Sequence, residues 1–343
     1  SGYVERLNAA WEQHLAPRVI DAPTVISTFA GCGGSSLGYS MAGFRELLAV
    51  EWDQNAVDTF RLNFPEVRVY HGDIAKLSID ECLSVTGLNP GELDVLDGSP
   101  PCQGFSTAGK RNLDDPRNQL FREYVRLLQG LKPRVFVMEN VSGMVKGKMK
   151  LVFAETMRQL KASGYQVSAR LLNAMYFNVP QSRERMIFIG VRADLGLMPS
   201  HPIAQCRVVT VGEAIGHLPS GEPGKHEPQV LAAWHLSRPG QPCAKTARYV
   251  GSFQSVRLDP MQPSYTMIKS HLHWHYAVPR QLSQLEAALL ASYPEDFRWV
   301  GSKDDWKERI GNSVPPLFMR AIAEHIREHI LSAAPALHAQ AAD

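Results

Sequence analysis

The feature that most constrains this chain is a regular alternation. Over its first ~190 residues, short apolar runs take turns with longer helical patterns. The runs are Thr24–Phe29, Leu47–Glu51, Val67–Tyr70, Leu93–Leu96, Val135–Met138, Gln166–Leu172 and Arg185–Val191. Helical stretches such as Asn55–Asn63, Leu120–Leu131 and Leu151–Ser163 fall between them. Short β-branched runs suit buried strands, and strands separated by helices form a parallel sheet covered on both faces. The expected fold class is therefore α/β. From Pro199 to Gly240 the chain turns rich in Pro and Gly, and β-like pieces follow at Arg248–Phe253 and His271–Ala277. This reads as a smaller, irregular, β-rich domain. Helical periodicity returns at Ser283–Tyr293 and from Pro315 to about Leu331.

Composition excludes several classes. With 343 residues, 44% hydrophobic and 20% charged, the chain is neither disordered nor a coiled coil. No apolar run approaches the ~20 residues that span a bilayer, and no basic-then-apolar pattern opens the chain. A cytoplasmic protein without membrane partners is expected. The five cysteines include no CxxC pair, so neither a disulfide framework nor a zinc site is expected. His271, His273 and His275 alternate without an accompanying carboxylate or thiolate, which reads as a strand facing solvent or a polyanion and not a metal site. The net charge of +2 hides ten cations against four acids between Lys110 and Lys150, a face that could meet a polyanion.

Three places carry chemistry. First, Phe29-Ala-Gly31-Cys-Gly33-Gly34 follows the first strand, and Glu51 ends the next, twenty residues after Gly31. Glycines admit a ligand to the backbone, and a carboxylate there can accept from ribose hydroxyls. Ser36 stands where a dinucleotide fingerprint has its third glycine, so adenosine without a diphosphate fits better. Asp73, in Gly72-Asp73-Ile74, could meet an adenine amine or cap a helix. Second, Gly98-Ser-Pro-Pro101-Cys102-Gln-Gly-Phe-Ser106 follows the fourth strand. Two prolines stiffen the approach to Cys102, a candidate nucleophile. Third, Glu139-Asn140 ends the fifth strand, where a carboxyl group could hold a proton, and Gln181-Ser-Arg183-Glu-Arg185 enters a later strand. Alternation places Gln181, Arg183 and Arg185 on one face.

These motifs, with Asp115-Pro-Arg-Asn-Gln-Leu120 and Gly311-Asn312-Ser313-Val314-Pro-Pro316, occur in an order that resembles the cytosine-5 DNA methyltransferases from about Val25 to Ile330. The resemblance implies a Rossmann-like, S-adenosyl-L-methionine-dependent sheet with a small target-recognition domain, releasing S-adenosyl-L-homocysteine. It implies a large domain over 20–194 plus 276–332 and a small one over 195–275, with target recognition near 220–256. Residues 1–19 and 333–343 are then terminal extensions. By the same resemblance, Cys102 attacks carbon 6 of cytosine, Glu139 engages ring nitrogen 3 and the amine, Arg183 and Arg185 face the base carbonyl, and Asn140 holds the base edge. Phe29, Gly31, Gly33, Glu51, Trp52, Asp73, Ile74, Pro100, Leu120, Asn312 and Val314 become cofactor contacts. DNA contacts are expected from Ser106, Lys110, Arg111, Gln181, Arg238, Lys245, Arg248, Tyr249 and Gln254. The expected partner is duplex DNA, met by a monomer, with a separately acting restriction endonuclease as companion. The same fold also admits an RNA-methylating enzyme or a catalytically silent relative. A nicotinamide dehydrogenase shares the glycine loop and Glu51, but has no use for Pro-Pro-Cys-Gln.

Overall fold

The computed structural model describes residues 2–101, 119–145, 147–243 and 255–337. The chain divides into two compact units. One comprises Ala16–Leu172, Glu184–Ile203 and Met319–Asp343; the other comprises Ser1–Leu15, Asn173–Arg183 and Ala204–Phe318. The opening helix, α1 (Tyr3–Leu15), belongs to the second unit.

The first unit is built on a sheet. Its strands are β1 (Thr24–Thr28), β2 (Arg45–Glu51), β3 (Val69–His71), β4 (Val95–Gly98), β5 (Val135–Val141), β6 (Tyr165–Asn173, whose last residue groups with the other unit) and β7 (Glu184–Arg192). They lie in the order β3-β2-β1-β4-β5-β7-β6. Pairing is parallel from β3 through β5, and β7 runs antiparallel to β5. Helices α2 (Gly34–Met41), α3 (Gln54–Asn63), α4 (Ile79–Thr86), α5 (Gln119–Leu131) and α6 (Lys150–Ala162) fill the connections. Every β1 residue is buried, as a strand covered on both faces requires. Ile26, Leu96, Phe136 and Phe188 of the sheet pack with Tyr124, Leu127 and Leu128 of α5 in one apolar cluster.

Chain order reverses between β1 and β4. An open parallel sheet has its ligand crevice at the carboxyl ends of the strands flanking such a point. The glycine loop leaves β1 there, and Pro-Pro-Cys leaves β4.

The second unit has little sheet among its described residues. It holds α7 (Val211–Ile215), α8 (Pro228–Leu236), the two-residue strands β8 (Gln241–Pro242) and β9 (Val256–Arg257), α9 (Gln284–Leu290) and α10 (Lys303–Asn312). A last helix, α11 (Pro316–His329), starts in this unit and passes to the sheet unit at Met319. In the sheet unit Arg327 donates to the Ala42 carbonyl and Arg134 to the Pro335 carbonyl, so the C-terminal segment does return to that domain.

The division departs from the expected one at several segments: residues 173–183, expected with the sheet, group with the second unit, and residues 195–203, expected with the small domain, group with the sheet. Residues 276–318, expected with the sheet, group with the second unit, where α9 packs on α7 and α10. Residues 1–15 are no loose extension. Tyr3, Leu7, Ala10 and Trp11 form a buried stripe at helical spacing, and the Tyr3 hydroxyl donates to the Leu289 carbonyl at 2.6 Å. No helix among the described residues is long and apolar enough to cross a membrane.

Candidate active site

The glycine loop is shaped by Glu51. Its Oε2 accepts from the Gly31 N–H at 2.7 Å, and its Oε1 accepts from the N–H groups of Trp52 and Asp53, both at 2.9 Å. Phe29 enters the loop at φ 52°, and Gly33 leaves it at φ 102°. A Cβ on Gly33 would lie 2.3 Å from the Phe64 ring, so both conformation and space require glycine there. A Cβ on Gly31 would meet nothing within 4 Å, which leaves open space over the loop. Trp52 is 76% exposed beside the largely buried Glu51. An uncovered indole, a carboxylate and an open glycine turn suit the base, the sugar and the close backbone approach of an adenosine. Asp73 caps the short helix Ile74–Lys76, accepting from the Ala75 N–H at 2.9 Å, while the Ile74 side chain is buried and its carbonyl accepts from Arg126. Leu120 is partly buried against the core cluster.

The end of β4 is tied on several sides. The Thr28 hydroxyl donates to the Asp97 carbonyl at 2.9 Å, and the Tyr39 hydroxyl to its carboxylate at 2.9 Å. Burial pushes the Asp97 carboxyl up to about 8, and the nearby Glu46 and Glu139 push the same way. A Cβ on Gly98 would fall 2.3 Å from Thr28 Oγ1 and 2.7 Å from the Tyr124 ring. Asn140, buried at the end of β5, donates through Nδ2 to the Pro100 carbonyl at 3.4 Å, two residues before Cys102. Cys102 itself lies outside the described residues, as do Ser106, Lys110, Arg111, Lys245, Arg248, Tyr249 and Gln254.

Next to Asn140, Glu139 pairs with Arg185 of β7, Oε1 to Nε at 2.8 Å. The antiparallel register, Glu139 opposite Ile187 and Val141 opposite Arg185, brings the two together. A half-buried, charge-assisted pair of this kind orients both groups.

Arg183 and Gln181 behave otherwise. Arg183 is 3% exposed and donates to the carbonyls of Met267 and Gly311, both at 2.9 Å. Gln181 is 1% exposed; its amide donates to the Leu290 carbonyl at 3.3 Å and accepts from the Met267 N–H at 3.0 Å. Gln181, expected to contact DNA, has both ends of its amide bonded to buried backbone. Arg183 binds two backbone carbonyls where a base carbonyl was expected. Both residues, with the exposed Asn312 and the buried Val314, belong to the second unit.

Two further expectations change. His273 and His275 are buried and face neither solvent nor DNA. His273 accepts from Val256 N–H at Nδ1 and donates to the Thr266 carbonyl at Nε2, and burial pushes its imidazole down to about 4. His275 lies beside Glu286, which Arg280 grips with two hydrogen bonds. Within the expected basic face, Arg134 is buried against Asp94 and Arg126 pairs with Glu123. Sequence reasoning also missed Arg257, which stacks 3.7 Å over the Trp234 ring and donates to the carbonyls of Ser237 and Tyr276. It anchors the backbone next to Arg238, which is exposed.

The profile of C-5 cytosine-specific DNA methylases matches residues 23–227 and 228–328. The Type II methyltransferase M1.HphI of Haemophilus parahaemolyticus is 37% identical, covering 88% of this chain and 86% of that protein. M.XorII of Xanthomonas oryzae pv. oryzae is 34% identical over 89% and 84%. Among solved structures, a putative DNA modification methyltransferase encoded within an E. coli prophage superposes with a TM-score of 0.77 at 26% identity, covering 89% of this chain and 99% of that one. The Spodoptera frugiperda DNMT2 structure shares the fold at a TM-score of 0.63 and 17% identity, over 89% and 99%. The chain therefore belongs to the C-5 cytosine-specific DNA methylase family and is a DNA cytosine-5-methyltransferase.

Proposed function

We propose that this enzyme transfers a methyl group from S-adenosyl-L-methionine to carbon 5 of a cytosine extruded from a specific duplex sequence, through a covalent bond to Cys102. The observation that carries this reading is the convergence of Asn140 on the Pro100 carbonyl and of Arg185 on Glu139 at the strand ends flanking the Pro-Pro-Cys segment. A cytosine inside a helix is out of reach of such a crevice, so the base is flipped at a cost of a few kcal/mol.

The cofactor supplies an electrophilic methyl on a sulfonium. Glu51 accepts from the ribose, Trp52 and Phe29 cover the adenine, the open face of Gly31 admits the backbone approach, and Asp73 meets the adenine amine. Ile74, Pro100 and Leu120 belong to the same wall, and Asn312 and Val314 face the methionine part. The Cys102 thiolate adds to carbon 6, a soft nucleophile on a polarised double bond. Glu139 hydrogen-bonds ring nitrogen 3 and the exocyclic amine, stabilising the charge that addition pushes into the ring. Arg185 keeps Glu139 in place and donates to the base carbonyl. Carbon 5 takes the methyl group with S-adenosyl-L-homocysteine as the leaving group; water then takes the carbon 5 proton, and that electron pair re-forms the ring double bond and expels the Cys102 thiolate. Arg238, on its anchored turn, reads a base edge in the major groove.

The test is Cys102→Ala. The variant binds S-adenosyl-L-homocysteine as the wild type does and transfers no methyl group to DNA. Residual turnover would refute the covalent route.

A further inference from the structure

The Gln-Ser-Arg segment, read from sequence as part of the base pocket, is the hub of a hydrogen-bonded joint in the second unit. Residues 180–183 run parallel to 264–267. Ser264 N–H donates to the Pro180 carbonyl at 2.9 Å, Ser182 N–H to the Ser264 carbonyl at 2.7 Å, and the Thr266 hydroxyl to the Ser182 carbonyl at 2.7 Å. The next residue, Met267, is held on both sides: its N–H by Gln181 Oε1 and its carbonyl by Arg183 Nη1. The other prong of the same guanidinium, Nη2, reaches the Gly311 carbonyl. Gly311 lies flat on the adjoining backbone. A Cβ there would fall 2.3 Å from Lys269 N and 2.4 Å from the Ile268 carbonyl carbon. Arg183 and this bare contact therefore fasten the same two segments side by side. Asn312, Ser313 and Val314 come directly after.

We infer that Arg183 is a positioning residue for the Gly311–Val314 corner and acts on cofactor affinity, while Arg185 alone serves the base. The inference rests on Asn312 and Val314 facing the cofactor. Its physical core is the planar fork: two parallel N–H groups reach two carbonyls that belong to different segments. Lysine carries the same charge on a single ammonium group and cannot reproduce that geometry. Losing one charge-assisted hydrogen bond to a carbonyl corresponds to about a tenfold change in an equilibrium constant.

The experiment compares Arg183→Lys, Arg185→Lys, Asn312→Ala and the double variant Arg183→Lys/Asn312→Ala in the full chain. Binding of S-adenosyl-L-homocysteine is followed by calorimetry, with KM for S-adenosyl-L-methionine and kcat on duplex DNA alongside. Arg183→Lys raises Kd and KM about tenfold and lowers kcat much less. Arg185→Lys does the reverse. The double variant binds no more weakly than the worse single one, because both changes spoil one corner. Gly311→Ala, which displaces that corner and its carbonyl from an unchanged Arg183, gives the same KM shift and keeps the test alive if Arg183→Lys does not fold. If Asn312→Ala weakens binding and both Arg183→Lys and Gly311→Ala leave it unchanged, the positioning role is wrong. A loss confined to kcat at saturating cofactor would return Arg183 to the base. If Asn312→Ala itself has no effect while Glu51→Ala weakens binding, the assignment of the corner to the cofactor has failed first.

Discussion

Asp97 and Glu46 show how a single residue's surroundings set its chemistry. Each is an acid whose hydrogen-bond donor is a neutral hydroxyl: Tyr39 for Asp97 and Ser36 for Glu46. Burial pushes Asp97 to about 8 and Glu46 to about 7, with Glu46 and Glu139 adding to the upward push on Asp97. The folded protein thus keeps protons that an unfolded chain releases near pH ~4. Their contribution to stability is complete below that pH and is lost as pH rises through about 7 and about 8. The melting temperature is expected to fall from about pH 5 to pH 9, and Asp97→Asn is expected to flatten that slope. A variant with the wild-type slope would show that Asp97 does not titrate in this way. None of this is legible in the sequence. Tyr39 and Asp97 are separated by 58 residues, and only the parallel order of β1 and β4 brings them together. The same holds for Arg183: its two carbonyl partners lie 84 and 128 residues away, so strand alternation alone suggested a face shared with Arg185.

At the scale of the element, the end of β4 is a close-packed joint among β1, α5 and the Pro-Pro segment. Gly98→Ala drives a methyl group into Thr28 and Tyr124. An expected loss of about 1–3 kcal/mol follows from overpacking, read as a lower denaturant midpoint at unchanged slope. Asn140→Ala removes the tether on the Pro100 carbonyl. It is expected to lower kcat at least tenfold while melting within a few degrees of wild type, because the geometry of the nucleophile's approach is lost and the core is not. A variant with full kcat would show that the tether is dispensable. The central strands β1, β4 and β5 were readable because each carries a short, buried apolar run between helical patterns. Helix α8 was not. Pro228-Gln-Val-Leu-Ala-Ala-Trp-His-Leu236 sits in a Pro- and Gly-rich stretch, and its proline occupies the first helical turn, where a missing N–H costs nothing. The histidines at 273 and 275 were misread because their partners, Val256, Thr266 and Glu286, come from other segments.

For the whole molecule, the order of motifs along the chain carried more than any one of them. Their spacing predicted a glycine loop after β1, an acid at the end of β2 and a thiol after β4; the sheet sets the glycine loop and Pro100-Pro101 at the ends of the two strands flanking its switch point, with Glu51 closing the neighbouring β2, while Cys102 lies outside the described residues. The domain boundary was harder to see. Helices α9 and α10 group with α1 and α7 through contacts that join the two ends of the sequence, and no local signal marks them. Methyl transfer to carbon 5 of cytosine in duplex DNA is read directly in a single assay. Wild-type enzyme is given methyl-labelled S-adenosyl-L-methionine with duplex DNA and, in parallel, with total tRNA, and the modified bases are identified. Label in duplex DNA as 5-methylcytosine at one short recurring sequence is the predicted result. Label confined to tRNA, or methyl groups on any atom other than carbon 5, would contradict it.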